Sequence, residues 1–245
     1  MENAVVIGFG VVGQATAKLF GINKHYDIDE TKTNCTLEEA KGSRYNFICL
    51  PTATKDGEYE LSGLREVIRT LPTGTIAIIR STVSPGFADS FGTDAVVSNP
   101  EFLSEDTAEK DIKYPPFVVI GCKNAKYREE VKALYMNVNK QTKFILTDNI
   151  TAEAIKLTMN AFFSTKVLFC NQIFDWAQKA GANYEKVREA LESHPYGMKN
   201  HTKIFYKGQR GVNGKCLPKD LEAFATYTQL PLLGKLVEIN NAIEH

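Results

Sequence analysis

At 245 residues, 43% hydrophobic and 24% charged, the sequence is of globular type with enough chain for two domains, which excludes a disordered polypeptide. Lysine plus arginine and aspartate plus glutamate balance at 29 each, so no overall field draws the chain to nucleic acid or an anionic membrane, and a small-molecule partner is expected. Five cysteines (Cys35, Cys49, Cys122, Cys170 and Cys216) form no CxxC pair, which argues against a disulfide framework or structural zinc. With no signal-like N-terminus and no apolar run of membrane-spanning length, a cytoplasmic protein without a metal is expected.

The chain opens on a strand over Ala4–Gly8, turns through Gly8-Phe9-Gly10-Val11-Val12-Gly13, and enters a helix over Gln14–Phe20. A second strand ends at Tyr26-Asp27. Apolar runs at Tyr45–Leu50, Thr75–Ile79, Ala95–Val97, Phe117–Gly121 and Phe144–Leu146 read as further strands, and the segments Leu61–Leu71 and Tyr127–Tyr135 carry helical spacing. This alternation predicts an α/β fold over residues 1–148, a doubly wound Rossmann-type sheet that is mostly parallel. Residues 149–245 read as a smaller all-helical domain. Its first helix has Thr151 as N-cap, Glu153 in the first turn and Gly181 as its stop. A helix of ~30 residues spans roughly 45 Å and usually crosses between domains or subunits. Helices follow at Tyr184–Leu191, behind Asn183, and at Asp220–Tyr227 and Leu232–Ala242.

The strand, the GxGxxG turn and the helix behind it suit a dinucleotide: Gly8 makes the tight turn, Gly10 admits a pyrophosphate, and Gly13 allows close helix–strand packing. An acid at Asp27, ending the second strand, fits ribose hydroxyls and favours NAD over NADP. On the long helix, Lys156, Asn160, Ser164 and Asn171 share one arc of an otherwise apolar surface, which is either a narrow solvated edge or a place where an ammonium and an amide stabilise a developing oxyanion. Cys216 lies between Lys215 and Lys219 ahead of a helix. It reads either as a buried inert thiol or as a nucleophile. Ser81–Gly86 and Asn99–Glu105 each follow a strand, where ligands sit in doubly wound sheets, although Glu101 and Glu105 also fit a solvated acidic loop.

In this order, GFGVVG, CLPTAT (Cys49–Thr54), STVSPG (Ser81–Gly86), NPEFLSEDTAEKD (Asn99–Asp111), AEAIKLTMNAF (Ala152–Phe162) and GVNGKCLPKD (Gly211–Asp220) resemble the motif series of the UDP-glucose/GDP-mannose dehydrogenase family. The resemblance implies a homodimer that oxidises the primary alcohol of a nucleotide sugar to a carboxylate with NAD, a four-electron reaction through a covalent intermediate. Cys216 matches the nucleophile that forms a thiohemiacetal and then a thioester. Lys156 and Asn160 match the oxyanion-stabilising pair, Asp220 a carboxylate that helps place water, and Thr82 and Glu105 residues that hold water and cofactor. Glu101, Phe102 and Leu103 match part of the sugar-binding turn, which Lys156, Asn160 and Asn213 complete as substrate contacts. The cofactor contacts implied are Gly8, Phe9, Gly10, Val11, Val12, Gly13, Asp27, Lys32, Thr52, Thr82 and Lys219. Asn213 stands where the family has the first glycine of a pair, Lys215 replaces a small or aromatic residue, and the segment from Asp27 to Leu37 is abbreviated. The resemblance runs to Asn241, so two family domains are expected without the third, nucleotide-gripping one. Two other readings fit the same residues: a two-electron β-hydroxyacid-type dehydrogenase, which also uses a Lys-x-x-x-Asn helix, and a non-catalytic NAD-binding partner subunit.

Overall fold

The computed structural model describes residues 1–103 and 108–243. In chain order its elements are β1 (Ala4–Ile7), α1 (Val11–Phe20), β2 (His25–Tyr26), α2 (Leu37–Lys41), β3 (Tyr45–Ile48), β4 (Thr54–Lys55), β5 (Glu58–Tyr59), α3 (Ser62–Arg69), β6 (Ile76–Ile79), β7 (Val96–Ser98), α4 (Ala108–Lys113), β8 (Val118–Gly121), α5 (Ala125–Val138), β9 (Phe144–Thr147), α6 (Asn149–Ala180), α7 (Tyr184–Ser193), α8 (Leu217–Thr228) and α9 (Pro231–Asn241). Short 3-10 turns lie at Glu30–Lys32 and Ala88–Phe91.

By its contacts the chain divides into two units, one of residues 1–53 and 59–156, the other of residues 54–58 and 157–245. The division falls inside α6, between residues 156 and 157, and the short segment Thr54–Glu58 groups with the helical unit. There Gly57 approaches α8 so closely that a Cβ would lie 2.3 Å from the Thr226 hydroxyl oxygen.

In the first unit the strands run in the order β2-β1-β3-β6-β7-β8-β9, parallel at every pairing except β7 with β8. The central strands are uninterrupted apolar runs because both of their faces are covered. Phe47, Ile76 and Ile78 point to one side, against Ala17 and Phe20 of α1 and Val131, Leu134 and Tyr135 of α5. Ile48, Ala77 and Ile79 point to the other, against Leu64 and Ile68 of α3. This period-two alternation makes the sheet doubly wound, and each buried Ile or Phe contributes on the order of 1.5–3 kcal/mol.

Helix α6 begins before the expected Thr151 cap. The Asp148 carboxylate accepts the Thr151 backbone N–H (2.8 Å) and hydroxyl (2.9 Å), so Thr151 lies inside the first turn. In the second unit, Cys170 and Ala177 of α6 pack with Tyr184 of α7 and with Ile204 from the irregular segment between α7 and α8. Phe162, Phe169 and Trp176, spaced at heptad intervals along α6, are all about half exposed. Among the described residues no helix is long and apolar enough to cross a membrane.

Candidate active site

The register of the sheet brings four of the sequence motifs to one edge. Ile7 pairs with Ile48, Ile48 with Ile79 and Ile79 with Ser98, so β1, β3, β6 and β7 end together. The segments starting at Gly8, Cys49, Arg80 and Asn99 therefore leave from adjacent carboxyl ends, the ligand-binding rim of a doubly wound sheet.

The three glycines of the first turn differ in what demands them. Gly8 has φ +91°, and a Cβ there would lie 2.7 Å from the Cys49 carbonyl oxygen. A Cβ on Gly13 would lie 2.0 Å from the Gly8 carbonyl oxygen. Gly10 has an ordinary φ of −75°, and a Cβ there would meet nothing within 4 Å. Packing explains Gly8 and Gly13, whereas no protein neighbour explains Gly10. It caps α1 with no side-chain hydrogen bond, which suits a pyrophosphate at the helix N-terminus. The Asp27 carboxylate accepts the N–H of Phe9 (2.6 Å) and of Asp29 (3.0 Å), and its remaining lone pairs suit ribose hydroxyls. Lys32 pairs with Asp29 at 2.8 Å; hydrogen bonds from Lys32 and Thr31 hold the Asp29 carboxyl down at about 2.

The Lys156 ammonium lies 3.3 Å from Glu101 and 5.5 Å from the Phe102 ring centre, with both charged side chains almost fully buried. The second Glu101 oxygen accepts the Leu103 N–H at 2.6 Å. Glu101 is thus an ion-pair partner, not part of a solvated acidic loop. The turn that carries it is fixed from below: the Asn99 side-chain oxygen accepts from Arg80 (2.9 Å) and from the Tyr135 hydroxyl (2.6 Å), and its amide donates to the Val119 carbonyl. Glu153 accepts the N–H groups of Gly86 (2.6 Å) and Ala88 (3.0 Å) and the Ser98 hydroxyl (2.8 Å).

In the helical unit, Cys216 is exposed, so the buried-thiol reading is overturned, and it occupies the N-cap position of α8. Its carbonyl accepts the Asp220 N–H at 3.0 Å. The Asp220 carboxylate is fully buried and receives the Asn160 amide (2.6 Å) and the Lys219 ammonium (2.5 Å). Asn160, Ser164 and Asn171 are buried too, so the alternative of a solvated edge fails for this arc. Asn171 nevertheless has a different task from Asn160: its oxygen accepts from the Gly211 N–H and from Arg210, both at 3.3 Å. Asn240 of α9 clamps the next residue from the other side, accepting the Val212 N–H (2.7 Å) and donating to its carbonyl (3.2 Å). The Asn213 amide turns back to the Gln209 carbonyl at 3.3 Å, within its own loop.

Comparison with known proteins agrees with this layout. Residues 24–139 match the NAD binding domain of the UDP-glucose/GDP-mannose dehydrogenase family, and residues 150–242 match its central domain. The chain belongs to this family. A UDP-glucose 6-dehydrogenase from Rickettsia prowazekii is 31% identical over 84% of the chain and 50% of its own length. A GDP-mannose 6-dehydrogenase from Azotobacter vinelandii is 29% identical over 86% of the chain and 53% of its own. Among solved structures, a UDP-glucose dehydrogenase from the archaeon Pyrobaculum islandicum superposes with a TM-score of 0.87 at 22% identity, covering 98% of this chain and 68% of that one. The chain spans about half the length of the curated relatives it matches.

For this member of the family, the structure brings Lys156 to Glu101 and Phe102, and both Asn160 and Lys219 to Asp220. Thr82 lines a small cavity with Lys156 and Glu153, and Thr52 is buried in the loop after β3. Glu105 lies outside the described residues. Sequence reasoning missed the support of these groups by Arg80, Tyr135, Asn240 and Glu153. For Glu153 a signal existed, since it stands three residues before Lys156 on the same helix face. For Asn240 none did, because its contacts are made 28 residues away in the chain.

Proposed function

We propose that this chain carries the NAD-binding and oxidising parts of a nucleotide-sugar 6-dehydrogenase, which converts a primary alcohol to a carboxylate through a thioester on Cys216. The observation that carries the reading is Cys216 at a helix N-terminus, where an anion is favoured, four residues before a buried Asp220 that is bonded to Asn160. A two-electron dehydrogenase has no use for that thiol. The Gly8–Gly13 turn and Asp27 would hold NAD, which would supply the hydride acceptor for both oxidations, the first at the alcohol carbon and the second at the thiohemiacetal carbon. Between these, the Cys216 thiolate adds to the aldehyde carbon and the carbonyl oxygen takes up a proton. Lys156 and Asn160 stabilise that oxygen while it is negative. Water then adds to the thioester carbonyl, the carbon–sulfur bond breaks, the thiolate is restored and the carboxylate is released. One water is consumed and three protons are set free with two NADH. An assay of NADH formed against a panel of UDP- and GDP-sugars is expected to give two NADH per sugar acid. One NADH per product supports the two-electron alternative, and NAD binding without reduction supports a non-catalytic subunit.

The same reading includes a homodimer joined along α6. It is supported by the exposed Phe162, Phe169 and Trp176, whose heptad spacing puts them on one face of the helix. Trp176 is the sole tryptophan of the sequence, so its fluorescence reports on this surface alone. Sedimentation is expected to give a dimer, and dilution to the monomer should shift the emission to the red; Trp176→Glu should sediment as a monomer at micromolar concentration. A parent chain that sediments as a monomer defeats the idea.

A further inference from the structure

Glu153 is 3% exposed, and its carboxylate is met by three donors from two segments: the Gly86 and Ala88 N–H groups, where the loop after β6 runs into the 3-10 turn, and the Ser98 hydroxyl of β7. Lys156 lies on the same face of α6, and both residues line a cavity of about 10 Å³ together with Ser81, Thr82, Ser98 and Pro100. A cavity of this size is at the lower limit for a single water.

We propose, resting on the activity assigned above, that Glu153 is a positioning residue for the reaction: it fixes the loop that carries Thr82, and its charge, acting across the small cavity that both residues line, holds the Lys156 ammonium in place. Lys156 pairs directly with Glu101 at 3.3 Å and shares the cavity lining with Glu153. The other charged group near Glu153 is Asp89 of the 3-10 turn, which is itself tied to Lys123 at 3.0 Å and to the Asn149 amide at 2.9 Å. β7 and the loop after β6 line the cavity with Ser98, Ser81 and Thr82, which do not titrate in the neutral range.

Three converging donors accommodate the ionised carboxylate, which accepts from all of them, better than the acid, which must also place a proton. Burial nonetheless pushes Glu153 up to about 7, with the hydrogen bonds opposing and Asp89 adding to it. Protonation on the acid side therefore removes the charge facing Lys156 and releases its hold.

The test follows Lys156 and Thr82 directly. In the whole chain, the Lys156 side-chain resonances (assigned with Lys156→Arg) and the Thr82 amide are tracked by NMR from about pH 5 to about pH 9. Both are expected to move together with a midpoint near 7 in the parent and to lose that transition in Glu153→Gln. Resonances that stay still in the parent, or that titrate unchanged in Glu153→Gln, overturn the proposal. Should Glu153→Gln fail to fold, Glu153→Asp is expected to keep the coupled transition at a displaced midpoint, and its complete absence there counts against the proposal. In turnover, Glu153→Gln should lower kcat about tenfold to a hundredfold and remove the acid limb of its pH profile, with KM for the sugar nucleotide within about twofold. An unchanged profile overturns it. A parent chain that makes no NADH defeats the assigned activity, and the resonances still decide whether Glu153 governs Lys156 and Thr82.

Discussion

Cys216→Ser is expected to lower carboxylate formation by about a thousandfold or more, since a covalent step loses its nucleophile. Serine keeps the size and the N-cap position, and its hydroxyl is a better cap than a thiol, so α8 and the buried Asp220 network should persist. The hydroxyl is too weak an acid to supply an anion at neutral pH, and the aldehyde then goes uncaptured. The substitution therefore separates the two oxidations: hydride exchange with added aldehyde should survive, while the second NADH per sugar disappears. Mass spectrometry of the parent, quenched during turnover, should find a sugar-nucleotide adduct on the peptide containing Cys216, and none in the variant. A serine variant that forms the acid at the parental rate rules out the thioester route.

Gly13→Ala should be the most damaging small change in the sheet-bearing unit. Its Cβ would lie 2.0 Å from the Gly8 carbonyl oxygen and 3.1 Å from a Val6 methyl carbon, and the first obstacle is backbone that cannot swing aside. We expect a loss of about 3 kcal/mol, the upper range for overpacking, which for a chain of this size lowers the Tm by roughly 6–12 °C. Gly10→Ala provides the control, because a Cβ there meets no protein atom within 4 Å. It should leave the Tm within about 2 °C yet weaken NAD binding about tenfold or more, as the methyl group intrudes where the pyrophosphate approaches. Calorimetric melting and NAD titration of the two variants measure both effects. Equal NAD affinity in Gly10→Ala and the parent would show that the turn is not the phosphate site.

The sheet was readable from sequence because buried parallel strands are continuous apolar runs, and the structure puts strands within every run read that way. The two-residue strands β4 and β5 left no such trace, being too short to alternate. Helix α2 was overlooked even though Thr36 and Glu39 form a full capping box. The start of α6 was misplaced because Asp148 and Thr151 are both good caps, and only the observed hydrogen bonds separate them. At the candidate site, residue type and spacing pointed to Lys156, Asn160, Cys216 and Asp220. They could not separate Asn160, which meets Asp220, from Asn171, which meets the Gly211 loop, since both lie on one helical arc and differ only in what folds onto them. Glu153 looked like an acid favoured near a helix start. Its burial depends on two distant segments converging on the helix, and no local pattern records that.

None of the five cysteines is in a disulfide, and they are chemically unequal. Burial raises the thiols of Cys35, Cys122 and Cys170 and pushes that of Cys49 up to about 12, while Cys216 is open to solvent. Alkylating reagents at neutral pH require the thiolate and access to it, so one position should take the label well before the others. The native protein thus has a built-in handle for conjugation, and a dye or spin label can be attached at the proposed nucleophile without first removing the other thiols.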